Sequence, residues 1–147
     1  MRSLGNEQDR SALLRRLRYL RPDAQPRWGQ LDATRMLAHV GDSVAVALGD
    51  LPGGEMGPRV FRHFPLKHLV IYVVPFPKDA RSPKEFLVTQ PEDFEAERQR
   101  LIGLMERAAG AQIEPGTGHP LLGPLTIRQW WALGWKHLDH HLRQFGC

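Results

Sequence analysis

Three histidines carry the chemistry this chain can do. Two of them, His137 and His141, lie four residues apart in the run Thr126–Phe145. That run reads as a helix with a marked start. Thr126 followed by Gln129 forms a capping box, in which the hydroxyl accepts from the Gln129 amide while the Gln side chain reaches back. Gly146 stands where a helix usually stops. Trp130, Leu133, Gly134, His137, His141 and Phe145 recur at three- and four-residue steps and so share one face. The two imidazoles then have Cβ atoms about 6 Å apart, a spacing that lets both grip one metal ion. The competing reading of each is a hydrogen-bonded core histidine. The zinc-protease pattern uses the same spacing but needs Glu directly after the first His as general base. Leu138 stands there instead, which argues against peptide hydrolysis by that route. His140 lies about 100° round the helix from His141 and is expected to flank the site, partly solvated.

The third histidine, His39, belongs to an earlier helix expected from about Asp32, an N-cap residue, to Leu48. Met36, Leu37, Val40, Val44, Ala47 and Leu48 form its apolar stripe, with His39 at the edge. Two further helices complete the set. Residues 7–20 carry Leu13, Leu14, Leu17 and Leu20 on one side and arginines on the other, and Pro22 ends the pattern. Pro91 fits the first position of a helix running to about Ala109, with Phe94, Leu101, Met105 and Ala108 inward and acidic residues at its start. The links are long. Residues 49–58 hold four glycines and two prolines and read as loop. In residues 59–74, Val70, Ile71, Val73 and Val74 allow a strand, whose only partner would be Phe86 to Thr89. An isolated two-stranded hairpin is marginal, so helix is preferred after Pro65. His63 and His68, five apart in that segment, read as structural or surface residues. A link from 49 to 90 is too long to be structureless and is expected to lie across the mouth of the helices. Residues 110–124 form the second Gly/Pro-rich link, carrying His119.

Composition narrows the classes. One domain over residues 1–147 is the natural reading of this length, and a chain of this size buries roughly two-thirds of its surface without disulfide staples. The only cysteine is Cys147, which fits a reducing, cytoplasmic compartment and offers no held nucleophile. The first residues show no signal-peptide pattern, and no apolar run reaches the length of a membrane span. The formal charge is +4 and the calculated pI about 9.7, which raises nucleic acid as a partner. The arginines at 10, 15, 16, 18 and 21 are the densest cluster, with Tyr19 the only aromatic among them. They therefore read as a solvated helix face rather than a stacking platform.

Four long helical patterns without a secure strand predict an all-α four-helix bundle, with long connections between helices 2 and 3 and between helices 3 and 4. Bundles build metal sites from inward side chains on facing helices. His39, His137 and His141 would supply three imidazoles and leave coordination positions open, as catalytic sites do. Imidazoles suit zinc or nickel, with iron a further option. Such an ion lowers the pKa of a bound water or thiol, or polarises a substrate oxygen.

The residues that carry this reading also resemble a known family. Trp28-Gly-Gln-Leu-Asp-Ala-Thr-Arg-Met-Leu-Ala-His39 is similar to the second-helix motif of the DinB-like, YfiT-like superfamily. His119-Pro-Leu-Leu-Gly123, Leu125-Thr126, Gln129-Trp130, His137-x-x-x-His141 and Gln144-Phe145 resemble the closing motif of an uncharacterised branch. The resemblance covers about residues 28–41 and 119–145. It implies a four-helix bundle and a divalent metal held by His39, His137 and His141. It also implies a metal-dependent transferase, in some members using a low-molecular-weight thiol, while the branch itself has no agreed activity. A hydrolase is the neighbouring option. The alternatives are a non-catalytic metal-binding bundle and a nucleic-acid-binding helical protein. The expected partner is a small-molecule substrate, low-molecular-weight thiols included, and a homodimer is a further expectation. His119 is the candidate for a catalytic acid/base or supporting group, its competing role being to cap the loop before Leu125. Ser43, one turn beyond His39, is placed to line the same cavity.

Overall fold

The computed structural model describes residues 1–54, 57–78, 91, 93–113 and 118–147. They are mostly helical, with one two-stranded sheet. The order is α1 (Glu7–Tyr19), α2 (Ala33–Leu48), α3 (Leu66–His68), α4 (Phe94–Gly110), β1 (Gly118–His119), β2 (Gly123–Pro124) and α5 (Ile127–Gln144).

Each long helix starts where a side chain can accept from its open amides. Asn6 caps α1, Asp32 caps α2 and Asp93 caps α4, each accepting from the amide three residues on. The Thr126–Gln129 capping box is formed in full, 2.9 Å from Thr126 N to Gln129 Oε1 and 3.3 Å from Gln129 N to Thr126 Oγ1. At the other end of α2, Gly49 adopts φ +83°, the left-handed stop that glycine takes without strain. The expected start of α4 at Pro91 is corrected by three residues. The Asp93 carboxylate meets the Ala96 amide at 2.8 Å, and that cap sets the first turn.

Between α2 and α4 the chain makes a 3-10 turn (Arg59–Arg62), then α3, which runs directly into a π-helical turn (Leu69–Val73). The helix expected after Pro65 is therefore present. The strand alternative relied on Phe86 to Thr89, which lie outside the described residues, as do residues 55–56 and 79–90 of the link expected across the mouth. Lys136 on α5 donates to the carbonyls of Val70 and Val74 and so satisfies the end of the π turn. The expectation of no strand is corrected by β1 and β2, which pair antiparallel, Gly118 with Pro124 and His119 with Gly123. A side chain holds the turn between them: His119 Nδ1 accepts from the Leu121 and Leu122 amides at 3.1 and 3.2 Å.

The core lies where the apolar stripes meet. α2 packs against α4 and α5, and α1 against α5 and α4. Leu13 and Leu17 of α1, Met36 and Leu37 of α2, Leu101 and Met105 of α4 and Leu142 of α5 are fully enclosed. Two ionic ties fix the helix pairs. Arg100 of α4 reaches Asp42 of α2 at 2.6 Å and Glu97 at 3.1 Å, with both carboxylates buried. Arg16 of α1 reaches Asp139 of α5 at 2.6 Å and the Cys147 carbonyl at 3.0 Å. Leu4 then crosses α5 at Gly134, where an added Cβ would stand 2.7 Å from the Leu4 Cδ1. No helix among the described residues is long and apolar enough to cross a membrane.

Candidate metal centre

α2 and α5 face each other at His39 and His137. The Nε2 atoms of these rings lie 3.0 Å apart, and the Nε2 of His141 lies 3.1 Å from that of His137. The three rings meet edge to face, with centroids 4.8–5.2 Å apart. His39 and His141 are buried and His137 is half-buried. Helical phase brings this about. His137 and His141 sit on the stripe that also buries Trp130 and Leu133, and His39 lies between the buried Ala38 and Val40 of α2.

The ring orientation of His141 follows from a chain of hydrogen bonds. The Trp28 carbonyl can only accept, so the group of Gln144 that meets it at 2.6 Å is the amide nitrogen. The Gln144 oxygen therefore faces His141 Nδ1 at 2.8 Å. Nδ1 must then carry the proton, which leaves the lone pair on Nε2, aimed at the other two rings. A partner on the far nitrogen is what metal-ligating histidines usually have.

Burial keeps the rings of His137 and His141 neutral. His137 is held well below the ordinary histidine range, first by desolvation and then by His141 and His39. His141 is pushed down to about 3 by burial and by neighbouring His39. Neutral imidazole is the form that binds a metal ion.

One nitrogen from each of His39, His137 and His141 lies within 4.8 Å of the others, close enough to hold an ion. A tetrahedral zinc with bonds of 2.0–2.1 Å would hold its ligand nitrogens about 3.4 Å apart. The observed 3.0 and 3.1 Å are within a few tenths of an ångström of that. The donor set fits a divalent transition metal and does not choose among zinc, nickel and iron.

The remaining sequence candidates fall around this cluster or away from it. His140 is half-buried, with its ring 5.7 Å from that of Trp28 and 5.8 Å from that of Phe76. It stays outside the converging set. His119 lines the same cavity as the cluster. Its Nδ1 lone pair is taken by two amides, and burial together with Lys67 lowers its pKa to about 4. At neutral pH its proton is therefore on Nε2, where it can donate. Ser43 also lines the cavity, and its hydroxyl donates to the His39 carbonyl at 3.1 Å. His63 and His68 are exposed. Sequence reasoning missed Gln144 and the Trp28 carbonyl as supports of His141. The signal for the first was local, because Gln144 stands three residues after a candidate ligand.

A cavity of about 230 Å³ opens beside the three rings, walled mainly by apolar residues of α2, α5 and the segments between them. The family model described as a protein of unknown function (DUF1569) matches residues 2–146. No curated protein and no solved structure matches the chain. The chain belongs to the DUF1569 family.

Proposed function

We propose that this protein is a metal-dependent transferase or hydrolase, a four-helix bundle of the DinB-like, YfiT-like kind, with a divalent ion held by His39, His137 and His141. The observation that carries the reading is the convergence of one ring nitrogen from each of three histidines, on two helices distant in sequence, at the wall of an open cavity. The four long helices α1, α2, α4 and α5 with long links between them support the bundle. A closed structural site would spend a fourth protein ligand, and a relic would fill the space in front of the cluster. Among the described residues, only three histidines converge and the cavity beside them is open.

When bound, the ion would supply Lewis acidity toward a substrate oxygen or acidify a thiol or water. The chain's own residues do the positioning. Gln144 locks His141 with its lone pair inward. Ser43 and the apolar walls confine what enters, and His119 offers a hydrogen-bond donor rather than a base. Any low-molecular-weight thiol would come from solution, since Cys147 is the one cysteine and lies outside the cavity lining.

The test begins with elemental analysis of protein purified without an affinity tag. About one transition metal per chain is expected, lost in His39→Ala and His141→Ala and kept in His140→Ala. A screen of thiols against electrophiles, and of esters and amides, should then find turnover that chelation abolishes and the ion restores. A stoichiometry near zero after reconstitution with both zinc and nickel, or turnover indifferent to chelation, would sink the reading.

A further inference from the structure

The cavity beside the three histidines has a chemical character of its own. Its wall is mainly apolar, with Leu4, Val40, Val44, Leu122, Trp130 and Leu133 among its residues. Among the described residues, no Asp, Glu, Lys or Arg lines it. The polar side chains in the wall are five histidines (His39, His119, His137, His140 and His141), Ser43 and the indoles of Trp130 and Trp131. Among the described residues, three lysines lie near the lining, and each is engaged elsewhere: Lys67, beside His119, donates to the Pro124 carbonyl. Lys136 donates to the Val70 and Val74 carbonyls and sits 4.6 Å from the centre of the Phe76 ring. Lys78 sits 5.1 Å from the centre of the Trp28 ring.

Volume and charge together narrow the ligand. A dry apolar cavity of about 150 Å³ holds a benzene molecule. The cavity here, about 230 Å³, has room for one ring with a short chain, on the order of nine non-hydrogen atoms by that scale. An ionised group buried without a partner is strongly disfavoured. Among the described residues, the lining offers a charge no partner of opposite sign, so an ion on the histidine cluster would be the place where one is compensated. A second charge at the far end of the ligand would rest on Leu, Val and Trp side chains.

We propose that the cavity binds a small molecule with an apolar body and a single polar terminus, the terminus meeting the histidine cluster and the body lying against α2 and α5. The terminus rests on the metal reading above; the apolar body does not. A peptide thiol bearing two carboxylates is excluded from the cavity as a fully enclosed ligand. Benzyl mercaptan has the size and charge distribution described.

The measurement is calorimetric, on full-length protein. Benzyl mercaptan and 4-(mercaptomethyl)benzoate share one thiol and one ring and differ by a remote carboxylate. The metal-loaded protein should bind the neutral thiol at least tenfold more tightly. Toluene, which has no polar terminus, should bind the chelated protein. Toluene binding with no ion found by elemental analysis would support the cavity and fail the metal reading alone. No toluene binding to chelated protein, with one ion per chain in the untreated sample, would overturn the proposal and leave the metal reading standing. Equal or tighter binding of the carboxylated thiol would also overturn it.

Discussion

Gln144 spans two acceptor-donor contacts with one amide, and its consequences are confined to one ring. Gln144→Leu keeps the bulk but removes the acceptor for His141 Nδ1 and the donor to the Trp28 carbonyl. Loss of such a partner typically weakens metal affinity about 10–100-fold. Gln144→Glu restores the acceptor toward His141 but not the donor, so its affinity should fall between the two. Competition against a chromogenic chelator reads both, and a Leu variant within twofold of the wild type would remove Gln144 from the site. His119 makes a second prediction at this scale. Its pKa is about 4 in the fold against an ordinary 6.5, so the unfolded chain takes up the proton first as pH falls. The stability it contributes is complete above about 6.5 and is lost toward 4, by about 2–3 kcal/mol. His119→Asn keeps an acceptor for the Leu121 and Leu122 amides but cannot titrate. Melting curves of chelated protein between pH 7 and 4 should fall less steeply for the Asn variant, the neighbouring histidines still contributing their share. Parallel curves would show that His119 is not held neutral by the fold.

Elements were legible where a local signal and a buried stripe agreed. The caps at Asp32 and Thr126, the stop at Gly49 and the phase that turns His137 and His141 inward are all properties of a few adjacent residues. The β1–β2 pair was not legible, because two strands of two residues fall below any periodicity, and the turn between them is held by a histidine rather than by glycine-asparagine chemistry. The Gln144–Trp28 contact joins residues 116 apart, which no local pattern encodes. The start of α4 shows two local signals in competition, Pro91 and Asp93, and the side chain with an acceptor won. The tie between α2 and α4 was equally invisible and makes the prediction at this scale. Arg100→Met removes the guanidinium from the buried carboxylates of Asp42 and Glu97. Breaking one partner of a buried pair costs about 3–5 kcal/mol; Arg100 keeps 30% of its side chain exposed, so a loss of about 2–3 kcal/mol is expected. Denaturant unfolding at pH 7 reads it. A loss below about 0.5 kcal/mol would mean that water already serves these carboxylates.

At the scale of the molecule, an ion on His39, His137 and His141 would clamp α2 to α5 in the native state only. Ligand linkage then adds about 2.7 kcal/mol at a hundredfold excess over Kd, roughly 5–10 °C in melting temperature for a chain of this size. The enclosed leucines and methionines of α1, α2, α4 and α5 do not depend on the ion. Chelation should therefore lower the melting temperature and leave the helical circular dichroism at about 25 °C in place. A chelated protein that is unfolded at that temperature would mark the ion as structural, and an unmoved melting temperature with the ion confirmed absent would mean that no ion joins the two helices. The clamp also has a place in time. His137 follows His39 by 98 residues, and at about 5–20 residues per second of synthesis that gap lasts about 5–20 s. During it the growing chain presents one of the three converging imidazoles and has no α5 to bring the other two. Loading would therefore be an event of the finished polypeptide: an ion would arrive at a scaffold already built by apolar contacts, and a chain halted before α5 would leave the ribosome with no ion to carry.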